Sequence, residues 1–308
     1  MPVRVLLPLA IVTLIWGTTW YVIKTQLGVV PAPWSVAYRF TLAALLMFVL
    51  CFARGRSIAF PAKAHFFFLM IGVFQFAGNF NLVYQASRFV TSGLIAVAFA
   101  LLVVPNAILA RIFLGHRVDR QFMIGSALGI MGVALLFRQE LLALADAPDL
   151  ALGIGATVLG ILCASAANVM QAAPQARAYG MSAMLAWAMT YGSVINIIFA
   201  WRTSGPPVID AAPLYLGGIA YLAVFASAIA FVLYFGVIRE IGPAKAAYSS
   251  VLIPFVAMTI STVLEGYQWT PYAIGGAVLT ALGLVIALRA KKRVVTAPPA
   301  AAPAIKSG

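Results

Sequence analysis

Acidic side chains are scarce in this chain: seven Asp and Glu stand against twenty Lys and Arg, and charged residues make up 9% of its 308 positions. A water-soluble domain normally has about a quarter of its residues charged, so a soluble globular fold is excluded. Only two histidines and two cysteines are present. With so few ligating groups there is no His/Asp/Glu cluster in an apolar segment, no HExxH, no CxxC and no disulfide framework, and an enzyme or metal-cofactor protein is not expected. Cys51 and Cys163 lie inside apolar segments, where a lone thiol acts as a small hydrophobe. The chain also lacks a GxxxxGK[ST] phosphate loop, which argues against a nucleotide-driven pump.

What the chain does have is apolar length. Hydrophobic residues are 64% of the sequence and mean hydropathy is +1.03. Ten apolar segments follow one another, at about 5–23, 34–53, 65–85, 92–113, 121–137, 151–172, 182–201, 213–236, 245–264 and 272–289. About twenty residues suffice to cross a hydrocarbon layer as a helix, so the expectation is an all-α integral membrane protein with ten transmembrane helices. Met1 to Gly17 resembles a signal peptide, with Arg4 before an apolar run. It has no convincing small-residue cleavage site, and it is read as the first helix.

The net charge of +13 raises the question of a nucleic-acid partner, and the placement of the charges answers it. If the N-terminus is cytoplasmic, most Lys and Arg, from Arg4 through Arg54, Arg56, Arg117 and Arg239 to Lys291, Lys292 and Arg293, fall on inner loops and tails. The outer ends hold Lys24, Arg88, Arg138 and Arg202. This is the positive-inside pattern, and it puts both termini in the cytoplasm. No nucleic-acid partner is expected; the partners are membrane lipids and a small solute.

The chain also repeats itself. Val103-Val104-Pro105 and the Gly125 to Gly132 stretch return about 150 residues later as Leu252-Ile253-Pro254 and Gly276 to Gly283, and Tyr84 matches Tyr234. This divides the chain into residues 1–145, residues 146–290 and a basic tail at 291–308, with Gln139 to Asp149 as the link. Five spans in each part is an odd number, so the second copy enters the membrane from the opposite side, and the two form inverted repeats. That is a common plan of secondary transporters working by alternating access. Pro105 and Pro254 each remove a backbone hydrogen bond in mid-span, giving a hinge or a fixed bend. The Gly125 to Gly129 and Gly276 to Gly283 faces allow close helix approach.

Trp16-Gly17-Thr18-Thr19, Tyr38-Arg39-Phe40, Tyr84, the Pro105 helix followed by Gly125 to Gly132, and then Pro254, Glu265 and Gly276 to Gly283 resemble, in that order, the drug/metabolite transporter superfamily, in its ten-helix EamA type. Within it the chain looks most like bacterial aromatic amino-acid exporters of the YddG type. The resemblance implies export of metabolites, amino acids or drugs across a bacterial cytoplasmic membrane. It also implies helices 1 to 4 and 6 to 9 around a central cavity, with helices 5 and 10 packed together at one side. There are departures: His116 stands where the second half has Glu265, and Cys163 where the first has Trp16.

All seven acids and both histidines fall at segment ends or in loops, so no proton-relay group is visible at mid-depth. A carrier moving solute down its own gradient is favoured, with coupling through Glu265 or His116 as the fallback. Arg39, a few residues into the second segment, is read first as snorkelling to the interface or pairing with backbone carbonyls; a substrate carboxylate is the other reading. Recognition in a neutral cavity falls to aromatic faces and amides. The candidates are Trp16, Trp20, Tyr38, Asn79, Tyr84, Phe99, Trp187, Tyr191, Tyr221 and Tyr248, with Gln75 sharing a helix face with Asn79 at i, i+4. Asn79 leads, because an unsatisfied amide in hydrocarbon is costly. A π-rich wall suits flat solutes such as Phe, Tyr or Trp. A passive solute channel or a lipid flippase is the alternative function.

Overall fold

The computed structural model of the chain describes residues 3–115, 120–138, 142, 148–241, 246 and 249–289, and every regular element among them is helical. In order these are α1 Val3–Thr25, α2 Ala32–Ala53, α3 Ala62–Ile71, a π-helical stretch Gly72–Asn79 and α4 Phe80–Ala86. Next come α5 Ser92–Ala100, α6 Val103–Leu114, α7 Arg120–Leu136, α8 Pro148–Ala172, α9 Pro174–Arg177 and α10 Met181–Ser204. The chain continues through α11 Pro213–Ala223, a second π stretch Val224–Ile229, α12 Ala230–Ile241, α13 Ser249–Leu264 and α14 Pro271–Arg289.

Local sequence sets many of these limits. Proline sits in the first turn of α2, α9 and α11, where its fixed φ fits the helix and its missing N–H has no intrahelical partner to lose. Gly115, Gly205 and Gly266, at φ of 69°, 74° and 68°, follow the ends of α6, α10 and α13, where a side chain would strain the backbone. Among the described residues, seven helical runs are long and apolar enough to cross a membrane, and Arg120–Leu136, Leu252–Leu264 and Pro271–Ala287 are shorter apolar helices.

The two matched prolines act differently. The fourth run breaks between Ala100 and Val103. Pro105 has no N–H for the Leu101 carbonyl and its ring collides with it, so that oxygen instead accepts from Val104 N at 2.9 Å. Pro254 lies inside α13, which runs unbroken.

The main core joins α2, α3, α4, α10 and α12 through Phe40, Phe68, Phe76, Tyr84, Met184, Phe231 and Phe235. Asn81 and Asn196 tie α4 to α10 at 2.7 Å, and Asn196 Nδ2 also donates to Phe76 O inside the first π stretch at 3.0 Å. To one side α7 and α14 pack backbone to backbone. A Cβ on Gly132 would meet Gly276 O, and one on Gly276 would meet Gly132 O; Gly125 and Gly283 oppose each other in the same reciprocal way. Removing side chains here lets two helices approach where burial in lipid offers no hydrophobic gain.

Candidate functional site

A cavity of about 120 Å³ lies among α1, α2, the first π stretch, α4, α5, α8, α12 and α13, and so draws its walls from both halves of the chain. Its aromatic wall is Trp16, Trp20, Phe80, Phe99, Phe231 and Tyr234. Trp16 meets Phe231 and Tyr234 edge-on with centroids 5.4 and 4.8 Å apart, and Trp20 meets Phe99 at 4.9 Å. The polar lining is Thr19, Arg39, Gln75, Asn79 and Asn168.

The π stretches place several of these groups. With the offset that pairs Tyr84 with Tyr234, both stretches end at the same position, Asn79 in one and Ile229 in the other. A π turn adds a residue and shifts the helical register, which is why such bulges gather at functional sites. The first turns Gln75 and Asn79 toward the cavity. The second carries Ser227, whose Oγ donates to Leu222 O five residues back at 2.8 Å and accepts from Arg39 Nε at 3.0 Å. Trp16 Nε1 donates to Ala226 O in the same stretch at 3.2 Å.

Arg39 does not snorkel. It is 0% exposed, with its guanidinium 4.3 Å from the Phe80 centroid and 5.1 Å from that of Phe40. The interior holds it because Ser227 and two phenyl faces offer contacts that neighbouring backbone carbonyls do not. Four buried polar atoms of lining residues have no hydrogen-bond partner: Trp20 Nε1, Arg39 Nη1, Gln75 Oε1 and Asn79 Oδ1. Each such group costs about 1–3 kcal/mol unless water or a ligand meets it.

Of the sequence candidates, the fold brings Trp16, Trp20, Asn79 and Phe99 together at this cavity. Tyr84 is fully buried beside Arg39, with which it interacts electrostatically, although its hydroxyl completes no regular hydrogen bond. The other aromatics are held elsewhere by their polar ends. Tyr38 OH donates to Val208 O at 3.0 Å and its ring stacks on Trp34. Trp187 Nε1 donates to Ile58 O at 2.9 Å, and Tyr191 OH bonds His65 Nδ1 at 2.8 Å, forming a separate cluster. Tyr221 OH bonds Thr18 Oγ1 at 2.5 Å. Tyr248 and His116 lie outside the described residues. Pro105 and Pro254 lie close in sequence to the lining residues Leu102 and Ile253. Phe231 carries no local signal in the sequence, being one phenylalanine among twenty, and its place in the cavity wall comes from packing.

At one end of the cavity helices, Lys24 Nζ meets Glu265 Oε1 at 2.8 Å, and Glu265 also accepts from the Ser92 hydroxyl. This joins the ends of α1, α5 and α13. The Glu265 side chain is 5% exposed. Burial alone would push its carboxyl up, but hydrogen bonds from Lys24 and Ser92, the nearby Ser261 hydroxyl and the charge of Lys24 outweigh burial and hold it below the usual carboxylate range. At the start of α1, Arg4 pairs with Glu240 at 2.8 Å, both solvent-accessible. Arg239 Nη2 caps Ala176 O at 2.7 Å and Nη1 caps Tyr179 O at 3.1 Å.

Comparison with known proteins fits this architecture. Protein PagO of Salmonella typhimurium is 22% identical over 93% of both chains. The uncharacterized transporter YoaV of Bacillus subtilis is 21% identical over 92% of this chain and 96% of its own. The uncharacterized inner membrane transporter YedA of Escherichia coli is 27% identical over 82% and 80%. A solved crystal structure matches the fold with a TM-score of 0.68 at 17% identity, covering 91% of this chain and 95% of the other. The EamA-like transporter family pattern matches residues 4–138 and 151–289, which is nearly the whole span-forming sequence. This chain belongs to the EamA-like transporter family and is a multi-pass membrane transporter.

Proposed function

We propose that this protein is a secondary carrier in a bacterial cytoplasmic membrane, exporting aromatic or other neutral amino acids and flat drug-like solutes by alternating access, in the manner of YddG-type exporters. In this reading ten transmembrane helices form two inverted five-helix repeats, 1–145 and 146–290, with both termini cytoplasmic. The reciprocal glycine contacts of α7 and α14 and the matched ends of the two π stretches support the repeat. The name of YedA as an inner membrane transporter supports the location.

The observation that carries the proposal is the cavity itself: an aromatic wall with four unpartnered polar atoms, enclosed by helices from both halves. Such a chamber pairs stacking surface with unmet hydrogen bonds, which suits a flat amphipathic solute. No carboxylate or histidine lines it among the described residues. Transport down the solute's own gradient therefore needs no proton relay at this site. Counterflow of radiolabelled L-phenylalanine in proteoliposomes, with no ion gradient imposed, tests this reading. Saturable exchange is expected. Uptake that never saturates would identify a channel, and uptake that requires a proton gradient would reveal a coupling group.

A further inference from the structure

The cavity holds a charge for which no carboxylate partner stands among the described residues. Arg39 is 0% exposed and lines the chamber, yet the described ion pairs, Arg4 with Glu240 and Lys24 with Glu265, do not involve it. A guanidinium stays protonated in proteins, and a buried cation without a counter-ion is expensive. Its surroundings answer only part of that cost. Nε is used by Ser227 Oγ at 3.0 Å, and the phenyl faces of Phe80 and Phe40 lie against the guanidinium. Nη1 and the buried hydroxyl of Tyr84 beside it complete no regular hydrogen bond, although the two side chains interact electrostatically. Other lining atoms have the opposite polarity. Gln75 Oε1 and Asn79 Oδ1 are buried amide oxygens without donors. One chamber thus presents an unsatisfied cationic donor, two unsatisfied acceptors and an aromatic wall.

We propose that Arg39 is the anion subsite of this cavity, binding the carboxylate of the carried solute, while the amide oxygens of Gln75 and Asn79 receive its ammonium or another N–H donor. This rests on the carrier reading above and narrows it to solutes that bear a carboxylate. The site is anchored from both halves of the chain, because Ser227 of the second π stretch fixes the guanidinium that α2 supplies. Binding gives the buried guanidinium a carboxylate counter-ion and gives the two amide oxygens a donor, while a zwitterionic solute leaves the net charge of the chamber unchanged.

The test compares four probes on the purified full chain: L-phenylalanine, hydrocinnamate, L-phenylalaninamide and phenethylamine. Binding is read by ligand-induced thermal stabilisation, and transport by counterflow. For the wild type, L-phenylalanine and hydrocinnamate are expected to bind about tenfold or more tightly than the two probes without a carboxylate, as for a hydrogen bond to a charged group. Arg39→Gln is expected to abolish that preference while leaving the weak binding of phenethylamine unchanged. Arg39→Lys should recover it in part, and Arg88→Gln, which removes an exposed charge, should change nothing. The wild-type comparison stands even if the Arg39 variants fail to fold. Equal affinity of the wild type for acid and amide would overturn the subsite while leaving the carrier reading intact. An Arg39→Gln protein of native thermal stability that keeps the carboxylate preference would overturn it as well. If no probe shows saturable counterflow, the carrier reading for aromatic solutes fails and the subsite with it.

Discussion

Asn79 and Phe89 are both partly or fully buried, ten positions apart in the chain, and different in what surrounds them. Asn79 lines the cavity with an oxygen that nothing in the fold satisfies, whereas Phe89 packs in a cluster under α8 and meets Gly153. Asn79→Ala should therefore weaken apparent solute affinity by about tenfold, and Phe89→Ala should affect stability alone. Counterflow titration of both variants checks this, and equal effects would remove Asn79 from the site. Tyr191→Phe gives the complementary result. Its hydroxyl serves His65, outside the cavity, so affinity should stay within about twofold of wild type although an aromatic at mid-span was a reasonable candidate from sequence.

Helices act here through their ends and their bare faces. Glu265 closes a clamp with Lys24 and Ser92 across α1, α5 and α13. Because its carboxyl is held below the ordinary range, the clamp's contribution is fully present above the unfolded carboxylate value, about 4.3. It is lost as pH falls through the lower, folded value. Glu265→Gln should lower stability by about 1 kcal/mol at neutral pH, since Lys24, itself partly solvated, loses its partner. The gap to wild type should shrink in acid, and thermal unfolding at stepped pH reads it. A gap that widens in acid would reverse the assignment. For the bare faces, Gly276→Val would drive a side chain into Gly132 O and Leu136 N. A loss of about 1–3 kcal/mol is expected from overpacking, with solute affinity in the folded fraction unchanged, because neither α7 nor α14 lines the cavity.

Across the whole molecule, the proposed mechanism requires the chamber to open to either side in turn. Ile23 lies near the clamped end of α1, and Ile253 near the opposite end of α13, and both line the cavity. In a background with Cys51 and Cys163 replaced, single cysteines at these two positions should change reactivity in opposite senses when L-phenylalanine is added. Labelling that stays constant at both would sink alternating access.

The apolar runs, their limits and the glycine faces were legible in the sequence because hydrophobic length, proline and glycine act locally: Pro213 starts a helix and Gly205 follows the end of one wherever they are placed. The amide Asn79 stood out for the same reason, as a costly group in an apolar run. Arg39 shows where such reading ends. Its sequence neighbourhood fits a snorkelling side chain, but its contacts come from Ser227, 188 residues away, and Phe80. Likewise, only packing separated Trp20, which faces the cavity, from Trp187, whose indole N–H is taken by the Ile58 carbonyl. The two π stretches, which carry Gln75, Asn79 and Ser227, depend on how each helix meets its neighbours. Sequence alone thus determined a helical membrane protein, because solvent transfer and backbone geometry are local. Tertiary structure decided which polar groups share one chamber, because that depends on contacts between residues far apart in the chain.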